Sequence, residues 1–183
     1  MKFVILAVPA VFVLSACGGG STSEYQALVN KAEALAAKLE DISGETLVLP
    51  IGTASYDGVG IVAENIEATD ADVYIGDVAL DVDFDNQQLQ GTMGGFYRTQ
   101  FDSEGNPAGD GIPVDGGFTI SSASVATNFD MDVTGALTMD GVNQDLGGTI
   151  SGVFGGDNAE VLIGGGTVGN VLMDVDMLMI ADR

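Results

Sequence analysis

The stretch FDMDVTGALTMDG, residues 129–141, decides the fold. Phe129, Met131, Val133, Gly135, Leu137 and Met139 alternate with Asp130, Asp132, Thr134, Ala136 and Thr138. Successive side chains of a β-strand point to opposite faces, so this period of two makes one apolar face and one polar face. Asp140-Gly141 follows as a hairpin signal, because both residue types tolerate the positive φ such a turn requires.

The same alternation spreads outward from this strand. Downstream, Leu146, Gly148, Ile150, Gly152 and Phe154 share a face. Val171, Met173, Val175, Met177 and Met179 are expected to line the last strand. Upstream, Tyr74, Gly76, Val78, Leu80, Val82 and Phe84 oppose Asp77, Ala79, Asp81 and Asp83. Asp85-Asn86-Gln87 turns the chain, and Leu89 to Tyr97 returns. The pattern predicts eight strands, over 51–57, 59–66, 72–85, 88–99, 116–125, 127–139, 146–154 and 171–180. A short run, Ala159 to Ile163, would join an edge or prolong a connection. Many strands with regular turns and no helix between them imply a mainly β fold, an eight-stranded antiparallel soluble β-barrel over residues 47–183. Eight strands enclose a space that side chains can fill. Inward glycines would relieve crowding there, and inward methionines would fill irregular gaps. Outward Asp77, Asp81, Asp83, Asp130 and Asp132 argue against a barrel embedded in lipid, where each carboxylate would be costly.

One amphipathic helix is predicted ahead of the barrel, over 24–43. Leu28, Ala32, Leu35, Leu39 and Ile42 recur at helical spacing, Ser23 suits an N-cap, and Ser43-Gly44 ends the run. The stripe predicts packing against the following domain. Residues 1–16 read as an export signal: Lys2 supplies the positive start and Phe3 to Leu14 the apolar core, too short to span a bilayer as a helix. Leu14-Ser15-Ala16-Cys17 is similar to the lipobox of bacterial lipoproteins, which implies that Cys17 becomes an acylated N-terminus. Residues 17–23 would then be the lipidated cysteine and a flexible Gly/Ser tether. Cys17 is the only cysteine, so the exported domain has no disulfide to form. Gly18 after the cysteine favours the outer membrane by the same likeness.

Composition narrows the function. The chain carries 27 acidic and 5 basic residues, a net charge of −22, which repels phosphate backbones and opposes nucleic-acid binding. With no histidine, a Ser-His-Asp or Cys-His arrangement is impossible, as are zinc or copper sites of His and Cys. The strand aspartates alternate as a solvated face does, so we expect no enzyme, no catalytic residues, no cofactor and no specific metal site. Asp70, Asp72, Asp102, Glu104 and Asp110 fall in expected loops and match no calcium-loop motif. The longest expected loop runs from about 100 to 115. At its base, Phe96, Tyr97, Arg98 and Phe101 are the candidate ligand-binding residues, since aromatics and arginine are favoured at binding hot spots. The competing expectation is that Phe96 and Phe101 cap the barrel and Arg98 pairs with a nearby acid.

Three stretches carry a family likeness. VALDVDF (78–84) with LQGT (89–92) resembles a hairpin of bacterial surface lipoproteins of the transferrin-binding protein B type. GVFGGDNAE (152–160) resembles that family's glycine, aromatic, glycine, alanine, acid segment near the barrel's end. Asp157 stands where the family often has proline, and Ala181-Asp182-Arg183 matches loosely. The likeness covers roughly residues 50 to 183. It implies an eight-stranded soluble barrel on the outer-membrane surface that binds a protein or small ligand outside the cell. Loops that recognise transferrin in larger members have no counterpart. The expectation is therefore a lipid-anchored, surface-exposed binding module attached to the membrane through Cys17. The alternative is a structural or assembly protein of the envelope, acting through its helix.

Overall fold

The computed structural model describes residues 23–41, 48–64, 72–101 and 107–183. The export signal, Cys17 and most of the tether lie outside the described residues, as do Asp70, Asp102 and Glu104. One helix, α1 (Ser23–Asp41), precedes eight strands: β1 (Thr53–Ala63), β2 (Asp72–Asp83), β3 (Gln88–Phe101), β4 (Pro107–Ser122), β5 (Asn128–Met139), β6 (Val142–Gly155), β7 (Val161–Gly169) and β8 (Asp174–Asp182). Each strand pairs antiparallel with the next, and β8 pairs back onto β1, so the sheet closes into a barrel.

The expected strand count holds, but two boundary errors cancel within it. The two strands expected over 51–57 and 59–66 are one strand, β1 (Thr53–Ala63), with residues 65 and 66 outside the described residues. Gly58 marks no turn. It sits where β8 crosses so closely that a Cβ would overlap the backbone of Ile180 and Ala181. Conversely, residues 161–163 of the short run expected at 159–163 begin a full strand, β7. Gly164, Gly165 and Gly166 hide its alternation in the sequence. Met131 of β5 and Met179 of β8 press on Gly164, and Ile150 of β6 presses on Gly166, leaving little room for a side chain at either.

Two further corrections concern one end of the barrel. Most of the expected 100–115 loop is strand: β4 begins at Pro107 and pairs with β3 through Gln100↔Ala108, Arg98↔Ile112 and Tyr97↔Pro113. Its pairing with β5 starts only at Gly116, so before that point one edge of β4 has no β5 partner and prolines are tolerated. The last strand starts at Asp174 rather than 171, and Val171 lines nothing: it is 99% exposed.

The interior is filled. Val78, Leu80, Met93, Ile120, Met131, Val133, Leu137, Ile150, Met177 and Met179 are all buried in one cluster. Met93 lies over Gly60, and Met131 over Gly152 and Gly164, so flexible thioether side chains occupy the space that glycines leave. A β-bulge at Gly95, with φ of 63°, lies between Gly94 and Phe96. It lets both Met93 and Phe96 point inward although they are three residues apart, and it turns Tyr97 outward.

α1 lies along the outside of the wall. Tyr25, Leu28, Val29 and Leu35, with Ala32, pack on Val59, Ile75, Tyr97 and Ile180. Leu28, Ala32 and Leu35 of the expected stripe thus pack on the barrel, with Tyr25 and Val29 added, while Ile42, Ser43 and Gly44 lie outside the described residues. The Tyr25 hydroxyl donates to Thr99 Oγ1 at 3.0 Å, and the Tyr97 hydroxyl to Glu24 at 2.7 Å. Lys31 bridges Asp57 at 3.0 Å and Asp77 at 3.1 Å, and Lys38 meets Asp182 at 2.9 Å. Burial disfavours the Lys31 charge, yet these two carboxylates outweigh it and raise its pKa. No described helix is long and apolar enough to cross a membrane.

These contacts orient the molecule. α1 starts beside Thr99 and Gly111, at the end where β1–β2, β3–β4, β5–β6 and β7–β8 are joined (the loop end). It finishes beside Asp182, at the opposite end, where β2–β3, β4–β5 and β6–β7 are joined (the turn end).

Candidate functional site

The four candidate residues do not share one surface. The bulge sends Phe96 into the barrel, where it is 1% exposed and meets Phe118 edge-on at 5.8 Å. Tyr97 goes to the other side, beneath α1, with its ring 5.8 Å from that of Tyr25. Arg98 reaches the barrel mouth, 3.6 Å from Asp72 and 3.4 Å from Asp140. Phe101 is half-buried at the end of β3.

The mouth is an ion-paired lid. Gln100 donates to Asp72 at 3.1 Å, so three side chains of β2 and β3 and one of the β5–β6 turn form a chain across it. Tyr74 lies just below. Burial first, then the Asp140 and Asp72 charges, raise its phenol pKa. Arg98 is therefore already engaged by two carboxylates. Phe96 and Arg98 behave as a packed core ring and a paired cation, which matches the competing expectation for them.

A different feature is open to solvent. An open groove of about 590 Å³ crosses the outer wall of β1, β2, β3 and β4, lined by Ser55, Asp57, Asp81, Gln90, Thr92 and Thr119. A second groove continues it toward the turn end, past Asp83, Gln88, Ser121 and Asp132. The wall's polarity is built by strand register. Ser55, Asp81, Gln90, Ser121, Asp132 and Thr149 stand opposite one another across six strands. Hydroxyl–carboxylate bonds lace the row: Ser55 donates to Asp81 at 2.6 Å and Thr149 to Asp132 at 3.0 Å. Short side chains such as Ala79, Thr92 and Thr119 leave the depression between longer flanks. Its groups can hydrogen-bond and attract cations. Among the described residues, no group of three or more His, Cys, Asp or Glu side chains is placed to hold a metal ion. Taken one strand at a time, the strand aspartates do not reveal this wall as a surface. The signal was present in the register, since outward Ser, Thr, Asp and Gln recur on adjacent strands.

The fold and surface define a class: a closed, solid-cored eight-stranded antiparallel barrel with a helix on its outer wall and a polar, acidic exterior. No protein-family model matches the chain, and no curated protein matches it.

Proposed function

We propose that this chain is a bacterial lipoprotein anchored to the outer membrane through acylated Cys17, facing outside the cell, whose barrel is a non-catalytic binding module for an extracellular protein or small ligand. The observation that carries the binding reading is the contrast between a filled interior and an open polar wall. Side chains occupy the lumen, so a ligand would be held on the outside, over the groove of β1 to β4. Asp57, Asp81, Asp83 and Asp132 suit a basic partner there, and the net charge of −22 would draw one in from a distance. The lipobox, the Gly/Ser tether and the likeness to lipoproteins of the transferrin-binding protein B type support the anchoring and location. The helix-docking alternative is weakened, because Leu28 and Leu35 of its stripe are covered by the barrel wall.

Protease shaving of intact cells tests the location, with a periplasmic protein as leakage control. The reading expects loss of this protein while the control survives. Full protection, with the purified chain cleavable under the same conditions, would place the barrel inside the envelope and remove the extracellular ligand.

A further inference from the structure

We infer that the loop end of the barrel rests against the lipid surface, with the β7–β8 tip, Val171 and Leu172, as its membrane contact. This rests on the reading of Cys17 as the lipid anchor. The occupant is a phospholipid bilayer surface.

Chain length carries the first part of the argument. Six Cα-to-Cα steps separate Cys17 from Ser23, a reach of roughly 20 Å even when fully extended. α1 begins at the loop end and runs 19 residues, about 28 Å, to the turn end. With the turn end on the membrane, the start of α1 would stand a helix length away, farther than the tether reaches. The anchor thus selects the loop end.

That end carries apolar side chains in water. Val171 is 99% and Leu172 83% exposed, and Val142 on the neighbouring hairpin is 56% exposed. The tip is firmly built. Asn170 Oδ1 accepts from Leu172 N at 2.8 Å and Met173 N at 3.1 Å, and Asn170 Nδ2 donates to the Asp145 carbonyl at 2.9 Å. The Asn170 amide donates to the Met173 carbonyl at 2.9 Å. Three backbone N–H groups of the tip are thereby bonded within it, while two consecutive apolar side chains project from it. Exposure alone does not choose an end, since Ile51, at the turn end, is 91% exposed. The point where the tether leaves does. Asp174 follows the tip in sequence and Asp145 adjoins it through its carbonyl, so contact with an anionic surface strengthens as salt screens these charges.

The acylated full-length mature protein is reconstituted in phosphatidylcholine vesicles containing nitroxide-labelled lipid. Acylation consumes the only native thiol, so a fluorophore can be placed singly at V171C or at I51C, two exposed apolar positions at opposite ends. The expected result is loss of most emission from the probe at 171 and retention of nearly all emission at 51. Adding phosphatidylglycerol at low salt is expected to reduce the quenching at 171. Equal quenching at both positions, stronger quenching at 51, or none at either overturns the inference. Mass analysis of the mature N-terminus separates the two readings. An unacylated Cys17 overturns the lipoprotein reading and the membrane contact with it, whereas an acylated Cys17 with an unquenched probe at 171 overturns the contact alone.

Discussion

The two ends of the barrel are closed by different physics. At the turn end, Phe154 is the hub of an aromatic stopper. Its ring lies 5.1 Å from Phe129, 5.4 Å from Phe84 and 5.8 Å from Tyr56. Backbone bonds tie this end together, from Val48 to Asp157, Phe84 to Gly52 and Val125 to Gln87. At the loop end, closure comes from Arg98 and its two carboxylates, all partly exposed, and from the tyrosine contacts beneath α1. Buried aromatic area stabilises strongly and is not screened by salt, whereas half-exposed ion pairs contribute little. The difference teaches that one end holds the fold together while the other is free to serve contact.

The largest effect is expected at the hub. Phe154→Ala should cost about 3–5 kcal/mol in denaturant unfolding, the range for emptying a large buried aromatic site. A loss under about 1 kcal/mol would mean that the stopper is not structural.

The next test concerns Tyr56, whose hydroxyl donates to the Ala159 carbonyl at the same end. Burial pushes its phenol up to about 12 from 10.0. Between those values the unfolded chain holds fewer protons than the folded one, so stability falls as pH rises above 10. Below pH 10 this group makes no pH-dependent contribution. Tyr56→Phe should cost about 1 kcal/mol at neutral pH through the lost hydrogen bond, and should flatten the alkaline decline. An unchanged alkaline limb in urea melts at stepped pH would contradict the assignment.

At the loop end the effects shrink. Tyr25→Phe removes the bond to Thr99 and should cost about 1 kcal/mol. It should also raise amide exchange in the first turns of α1 while the barrel strands stay protected. Exchange spreading into the strands would mean that helix and barrel unfold as one unit. Arg98→Ala should change stability by no more than about 1 kcal/mol, and less in high salt. A loss as large as that of Phe154→Ala would erase the contrast between the ends.

The fold was readable wherever inward residues alternate without interruption, as in β2, β5 and β6. It was obscured where glycine replaces a large inward side chain. Gly58 looked like a break in β1, and Gly164 to Gly166 concealed β7. In each case the missing side chain makes room for a neighbour, which a single strand cannot reveal. The Gly/Pro content of 105–113 suggested a loop, because the tolerance of proline on a strand that has lost one neighbour depends on where β5 ends. The candidate site was legible only as residue types. Phe96, Tyr97 and Arg98 are adjacent in sequence, yet the bulge at Gly95 and the alternation after it send them to the core, the helix interface and the mouth. The polar wall needed strand register to become visible.

The most direct measurement is labelling of single cysteines by a membrane-impermeant maleimide on intact cells, at Asn86→Cys in the β2–β3 turn and at Val171→Cys. The account predicts that position 86 labels on intact cells as fully as after lysis, while position 171 labels only once detergent removes the membrane. Equal labelling of both positions on intact cells would contradict the polarity of the barrel, and labelling of neither before lysis would contradict its place outside the cell.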